Sequence, residues 1–303
     1  MNTSKQPKAV LVTGTSTGIG RATALQLDQL GYQVFATVRN EPDAESLREH
    51  ASSDLIPILL DVTDENSINQ AEAQISQIVG SAGLWGLVNN AAVAFTSPLE
   101  YAPLDKMRGV FEANFFGVLA LTQKFLPLLR QARGRIVNVS SMASIVVAPF
   151  HGPYSTSKLA LNALSDALRL ELRPNRVKVS LIIYGSVRTP IWDKGRTTSE
   201  SIVKHYPPEA WDIYGTNYRI LVNYFRRMGK SGISPEEATH AIVHALSTKQ
   251  PKTRYYVGRD AKLFNFFNNF LQGRLRDWAI MRMIGLSDEN EDSQRLHSVG
   301  DPR

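Results

Sequence analysis

Two kinds of segment alternate along the first 190 residues. Short runs dominated by Val, Ile and Leu stand at Ala9–Val12, Val34–Val38, Leu55–Leu60, Leu84–Val88, Ile136–Val139 and Val177–Ile183. Between them lie longer stretches with apolar residues at helical spacing: Gly20–Leu30, Asp64–Val79, Leu104–Gln131 and Pro153–Leu172. An apolar run without polar alternation predicts a strand buried on both faces, and strands bounded by amphipathic helices predict a parallel sheet covered on both sides. The pattern therefore predicts an α/β fold, a doubly wound parallel sheet. No internal repeat or low-complexity linker interrupts it, so residues 1–303 read as a single domain.

Beyond Pro190 the rhythm breaks. Ile191–Gly232 is rich in Tyr, Trp, Arg and Ser and holds no strand-like run, so residues 190–232 are expected to form an insertion lying over the core of residues 7–189. Regularity returns at Ser234-Pro235-Glu236-Glu237, a capping box with proline at the first helical position, which predicts a helix to about Thr248. Arg254–Val257 predicts one more strand, and Lys262–Leu286 an aromatic-rich helical segment. The tail from Ser287, with Asp288, Glu289, Glu291 and Asp292, is expected to be disordered.

Composition narrows the chemistry. The absence of cysteine excludes disulfides, thiolate metal sites, iron–sulfur clusters and a cysteine nucleophile. A net charge of +6 spread along the chain suits an anionic cofactor and falls short of a nucleic-acid-binding composition, so no nucleic-acid partner is expected. The opening MNTSKQPKAV lacks the apolar core of a leader peptide, and no stretch of 18 uninterrupted apolar residues occurs. A cytoplasmic protein is expected, or one lying on a membrane surface.

The first strand runs directly into Thr13-Gly14-Thr15-Ser16-Thr17-Gly18-Ile19-Gly20 and then into a helix. Glycines at 14, 18 and 20 permit a tight turn and let backbone N–H groups approach a pyrophosphate at the helix N-terminus, with Ser16 and Thr17 adding hydroxyl donors. The alternative is a plain strand–helix turn that uses glycine for geometry alone. The second strand ends Ala36-Thr37-Val38-Arg39. Folds that take NAD place a carboxylate here for the ribose hydroxyls; Thr37 and then Arg39 instead suit a ribose 2′-phosphate, which favours NADP(H) over NAD(H).

The glycine spacing, first, fifth and seventh, resembles that of the short-chain dehydrogenase/reductase superfamily, and the likeness runs from Ala9 to about Thr189 with more in the carboxy-terminal part. It implies a Rossmann-type sheet. It also implies that Asp61 and Val62 contact the adenine. Asn89-Asn90-Ala91-Ala92 matches the family's Asn-Asn-Ala-Gly except at Ala92, and places Asn90 in the cofactor site; Val187 and Thr189 match the positions that bind the nicotinamide carboxamide. Tyr184 stands where the family has proline, and is expected either to pack or to reshape the substrate pocket.

Tyr154 and Lys158 are four apart and share a helix face. A phenol with pKa near ~10 is a poor base at neutral pH unless a neighbouring cation stabilises its phenolate, which Lys158 can do. Ser141, thirteen residues upstream, has the family's serine-to-tyrosine spacing, and strand alternation turns Ser140 the other way. Asn114 in Phe111-Glu112-Ala113-Asn114 matches the asparagine that similar enzymes use to hold a proton-relay water. The resemblance thus implies a catalytic set of Asn114, Ser141, Tyr154 and Lys158, with Tyr154 and Lys158 also holding cofactor.

Leu84-Trp85-Gly86-Leu87, the helix around Asp166 and Thr253–Leu263 look most like the retinol and hydroxysteroid dehydrogenase branch. The expected reaction is hydride transfer between nicotinamide and an apolar alcohol or carbonyl, with the aromatic residues after Thr189 walling the pocket and residues 190–232 covering the substrate. A non-catalytic NADP(H)-binding regulator is the competing class, suggested by Tyr184 and Ala92; a membrane-surface lipid reductase is a third. Related enzymes pair helices equivalent to Leu104–Gln131 and Pro153–Leu172, which implies a homodimer or homotetramer. His240 and His244 have a metal-compatible spacing but no evident third ligand, so no metal is expected. His151 is open between substrate contact and loop residue. The Lys262–Leu286 aromatics are expected to close the pocket or pack on a partner subunit in preference to lying on a membrane.

Overall fold

A computed structural model of the protein describes residues 7–271 and 273–286. The chain runs β1 (Ala9–Val12), α1 (Gly18–Gln29), β2 (Gln33–Val38), α2 (Glu41–Arg48), β3 (Leu55–Leu59), α3 (Glu65–Val79) and β4 (Gly86–Asn89). It continues through α4 (Leu104–Phe111), α5 (Gly117–Ala132), β5 (Arg135–Ser141), α6 (Gly152–Glu171) and β6 (Lys178–Tyr184). The last elements are α7 (Ile191–Val203), α8 (Pro208–Ser231), α9 (Pro235–Ser247), β7 (Arg254–Val257), α10 (Arg259–Phe270) and α11 (Gly273–Ile284).

The seven strands form one parallel sheet in the order β3-β2-β1-β4-β5-β6-β7. Alternate residues of β1 show why its run is apolar throughout. Ala9 and Leu11 enter a core with Phe125 of α5 and Leu168 of α6, and Val10 and Val12 enter a second core with Leu27 of α1 and Ile242 of α9. Pro57 of β3 is tolerated because that strand is an edge. Strand order reverses between β1 and β4, so the loops after these strands diverge and open a crevice at their carboxyl ends.

Four local features depart from the sequence expectations. The stretch Leu104–Gln131 is interrupted by a π-helical turn at Glu112–Phe116, with Asn114 at its centre. The unassigned segment after Pro190 folds as α7 and α8, and Pro208 occupies the first turn of α8, where its missing N–H removes no helical bond. Arg259–Phe270 and Gly273–Ile284 form two helices instead of one, the second opening at Gly273 with φ +55°. A short helix, α2, was not anticipated; Asn40 caps it by accepting from the Asp43 N–H at 3.0 Å. The Ser234 cap is as expected, its hydroxyl accepting from the Glu237 N–H at 3.1 Å. The tail from Ser287 lies outside the described residues.

Candidate active site

The crevice at the switch point deepens into a cleft of about 1550 Å³. That exceeds the roughly 300–1,000 Å³ of a single small-ligand pocket and leaves room for two molecules side by side. One end is the loop after β1. Gly14 and Gly18 take φ of +68° and +60°, and a Cβ on Gly20 would collide with the Gly14 carbonyl and the Asn90 amide. The cradle is held by side chains the glycine pattern does not reveal. Thr37 accepts from the Gly14 N–H at 3.3 Å, and its carbonyl accepts from the Thr15 N–H and hydroxyl, both at 2.9 Å. The Thr13 hydroxyl oxygen accepts from the Asn90 and Ala91 N–H groups at 2.9 and 3.0 Å, and the Asn90 amide donates to the carbonyls of Thr13 and Gly14. Free N–H groups at a helix N-terminus within a glycine turn that admits close approach fit a pyrophosphate.

Arg39, at the end of β2, is exposed on the cleft wall, and Asp61 lies close enough for the guanidinium to help lower its carboxyl. Burial, the larger influence, raises that carboxyl, and hydrogen bonds from the Thr63 N–H and hydroxyl outweigh it in concert with Arg39. Glu41, the acidic neighbour in sequence, is engaged instead with Arg48 at 2.6 Å. Ala92 carries no positive φ, so the extra methyl leaves the loop in an ordinary backbone conformation.

The far end of the cleft gathers Ser141, Tyr154 and Lys158 from the end of β5 and the first turns of α6. Burial pushes the Tyr154 hydroxyl up to about 12, with a Ser141 hydrogen bond acting in the opposite direction. Burial brings Lys158 down to about 8; its ammonium donates to the Val139 carbonyl at 2.9 Å and lies 5.8 Å from the Tyr154 ring centre. Ser140 faces away, donating to Asn162 at 2.7 Å.

Every residue singled out above for cofactor or chemistry lines the cleft except Gly20 and Asn114. Gly20 lies beneath the cradle. The Asn114 side chain is occupied: Oδ1 accepts from the Val93 N–H at 2.9 Å, and Nδ2 donates to the Val93 carbonyl and to Ser157 at 2.9 and 3.0 Å. It ties the loop after β4 to the π turn and α6. Val187 is buried against the second core, and Thr189 packs where a Cβ on Gly18 would meet it at 3.1 Å, bringing the loop after β6 against the cradle. Tyr184 points into the core and donates to the Ala238 carbonyl of α9 at 2.6 Å; burial raises its hydroxyl. Its hydroxyl packs in the core while the residue also lines the cleft.

Helices α7 and α8 supply the outer wall, including Ile191, Trp192, Tyr218 and Phe225. They are tied down by hydroxyls: Ser199 accepts from the Thr96 N–H at 2.8 Å, and Tyr214 donates to Glu100 at 2.7 Å. Tyr206 also lies 2.5 Å from the Ser97 hydroxyl. The C-terminal aromatics do not close the pocket. Phe266 and Phe270 are 58% and 68% exposed, and the end of α11, with Ile284 and Leu286 against Leu221, is what reaches α8. His244 hydrogen-bonds the Tyr255 hydroxyl at 2.9 Å, a packing contact, and His240 is exposed.

A glycine-cradled helix terminus at the switch point of a parallel sheet, opening into a cavity with a Ser-Tyr-Lys wall, defines a dinucleotide-dependent oxidoreductase. The family model for short chain dehydrogenases matches residues 8–200. Retinol dehydrogenase 5 of Mus musculus is 38% identical over 283 residues, 91% of this chain and 88% of that protein. The 17-beta-hydroxysteroid dehydrogenase type 6 of Bos taurus is 36% identical over 282 residues, covering 91% and 89%. A crystal structure of a short-chain dehydrogenase from Streptomyces avermitilis superposes with a TM-score of 0.75 at 28% identity, covering 92% of this chain and 98% of that one. The chain belongs to the short-chain dehydrogenase family, in its retinol and hydroxysteroid dehydrogenase branch, and is an oxidoreductase acting on alcohol groups.

Proposed function

We propose that the enzyme is NADP(H)-dependent and acts on an apolar secondary alcohol or its carbonyl, of retinoid, steroid or lipid type, with Tyr154 as general acid and base. The observation carrying this reading is that Ser141, Tyr154 and Lys158 share one cleft with the glycine cradle and Arg39. Gly14, Ser16, Thr17, Gly18 and Ile19 hold the pyrophosphate, Arg39 the 2′-phosphate, Asp61 and Val62 the adenine, and Val187 and Thr189 the carboxamide. The nicotinamide, when bound, supplies or accepts the hydride. Ser141 orients the substrate oxygen with its hydroxyl, and Tyr154, protonated at neutral pH, gives that oxygen its proton in reduction. Lys158 places a cation beside the phenol, and Asn114 acts through the loop and helix it joins. Helices α7 and α8 cover the substrate with the aromatic wall described above, and the names of the relatives point to the same substrate class.

The test is a panel of retinoid, steroid and long-chain carbonyl substrates against short polar ketones and hydroxy acids, followed by NADPH and NADH absorbance. Higher kcat/KM for the apolar set and tighter NADPH binding are expected. Arg39→Ala should weaken NADPH about ten- to a hundredfold, the loss of a charge-assisted contact, and leave NADH nearly unchanged. A wild-type protein that prefers NADH overturns the cofactor assignment, and one that prefers the short polar set overturns the substrate class.

A second reading concerns location. No helix among the described residues is long and apolar enough to cross a membrane. The exposed Phe266, Phe270, Leu275 and Trp278 of α10 and α11, in a segment that also carries Lys262, Arg274 and Arg276, favour contact with a membrane surface.

A further inference from the structure

His151 belongs to none of the roles assigned so far, yet its ring lines the cleft, 5.0 Å from the Tyr154 ring and 4.8 Å from Phe225 of α8. It is set there by a strained backbone. The preceding Phe150 takes φ +61°, a left-handed conformation that a bulky residue adopts at a cost. Three contacts hold that conformation: the Phe150 ring lies 5.8 Å from both Tyr214 and Tyr218, and its carbonyl accepts from the Ser97 N–H at 2.8 Å. Strain maintained by aromatic packing and a hydrogen bond delivers an imidazole to the reaction end of the cavity.

The ring's Nδ1 is buried without a partner. An orphaned N–H is the more costly way to leave a buried nitrogen, so the proton is assigned to Nε2 and Nδ1 carries the lone pair. Burial takes the imidazole down to about 4, so at neutral pH it is uncharged and has one N–H to offer. The reacting oxygen has two lone pairs, already faced by the hydroxyls of Ser141 and Tyr154. A third donor at this wall is satisfied only by a different acceptor. We infer that His151 is a positioning residue whose Nε2–H binds a second substrate oxygen, within a few bonds of the reacting carbon. The inference rests on the hydride-transfer reading above and sharpens its substrate class: an apolar skeleton bearing a neighbouring hydroxyl or carbonyl, as in an α-hydroxyketone or a diol, in preference to one with a solitary oxygen.

The experiment compares medium-chain monoketones with α-hydroxyketones of the same length in the wild type, His151→Phe and His151→Gln. One hydrogen bond corresponds to about tenfold in kcat/KM, so the wild type should favour the hydroxyketone by about that factor, mainly through KM. The preference should vanish in His151→Phe and return in His151→Gln, which keeps an N–H donor. NADPH-induced fluorescence quenching reports whether each variant is folded, and the wild-type ratio tests the inference even where a variant is not. Turnover of both series with no wild-type preference, or with a preference untouched by His151→Phe, overturns the role of His151 and leaves the proposed function standing. Turnover of the retinoid or steroid panel with no turnover of the hydroxyketones overturns the role of His151 alone, and the proposed function stands or falls on that panel.

Discussion

Desolvation and hydrogen bonding pull on Tyr154 in opposite directions, and desolvation wins, so its hydroxyl stays protonated to about pH 12. The same burial acts on a cation at Lys158 and lowers it to about 8. As pH rises, the ammonium is therefore lost well before the phenol proton. In the free enzyme, reported by kcat/KM, carbonyl reduction should hold level below about pH 8 and decline above it, with Lys158 and not Tyr154 setting the limb. A decline that begins only several units higher assigns the limb to another group. Tyr154→Phe keeps the ring and removes the proton, and should lower turnover about 10²–10⁴-fold while NADPH still quenches fluorescence. Near-wild-type turnover would overturn the role of Tyr154 and assign the proton transfer to another group.

Between elements, polar side chains act as ties where the catalytic loops must hold their shape. Asn114, in its π turn, holds the loop after β4 with two hydrogen bonds to Val93 and α6 with a third to Ser157, and Gly117 lets α5 approach so closely that a Cβ would meet the Val62 carbonyl at 2.5 Å. π turns often mark such places, because the extra residue breaks the regular ladder and re-aims its neighbours. Tyr184 ties the end of β6 to α9 through its hydroxyl. Tyr184→Phe should cost about 1 kcal/mol, a typical net value for a buried hydrogen bond, seen as a melting temperature lower by about 2–4 °C. Substrate KM should not move. A changed KM at unchanged stability would show that this tyrosine shapes the pocket after all.

For the molecule as a whole, the informative surface is the one left apolar. Leu104, Phe116, Leu159 and Leu170 are 49–66% exposed on and around α4 and α6, which lie side by side. Exposed apolar side chains gathered in this way mark a contact surface, and a second copy of this chain is the expected occupant. Sedimentation at micromolar concentration should give a dimer or larger, and Leu159→Glu with Leu170→Glu should shift it toward monomer. A wild type that sediments only as monomer removes this interface.

Much of the architecture was legible along the chain because burial on both faces leaves no polar alternation. The strands that hold Val10, Val34 and Val179 could be read directly, and so could the Ser234 cap, where a hydroxyl, a proline and two carboxylates signal a helix start. The glycine turn and the Tyr154–Lys158 pair were legible from their own local spacing, whereas Ser141, at the end of β5, entered through the family resemblance. What the sequence left open depends on groups far apart in it. Tyr184 could be settled only by the position of Ala238, the occupied side chain of Asn114 by Val93, and the clamp from Thr37 by the approach of Gly14. The aromatic stripe of α10 was expected to close the pocket or pack on a partner subunit; it does not close the pocket and is exposed on the single chain, because periodicity identifies an apolar face but does not say what stands opposite it. Local spacing determined which candidate residues this chain carries; long-range packing decided which of them line the cleft, and it brought His151 there as well.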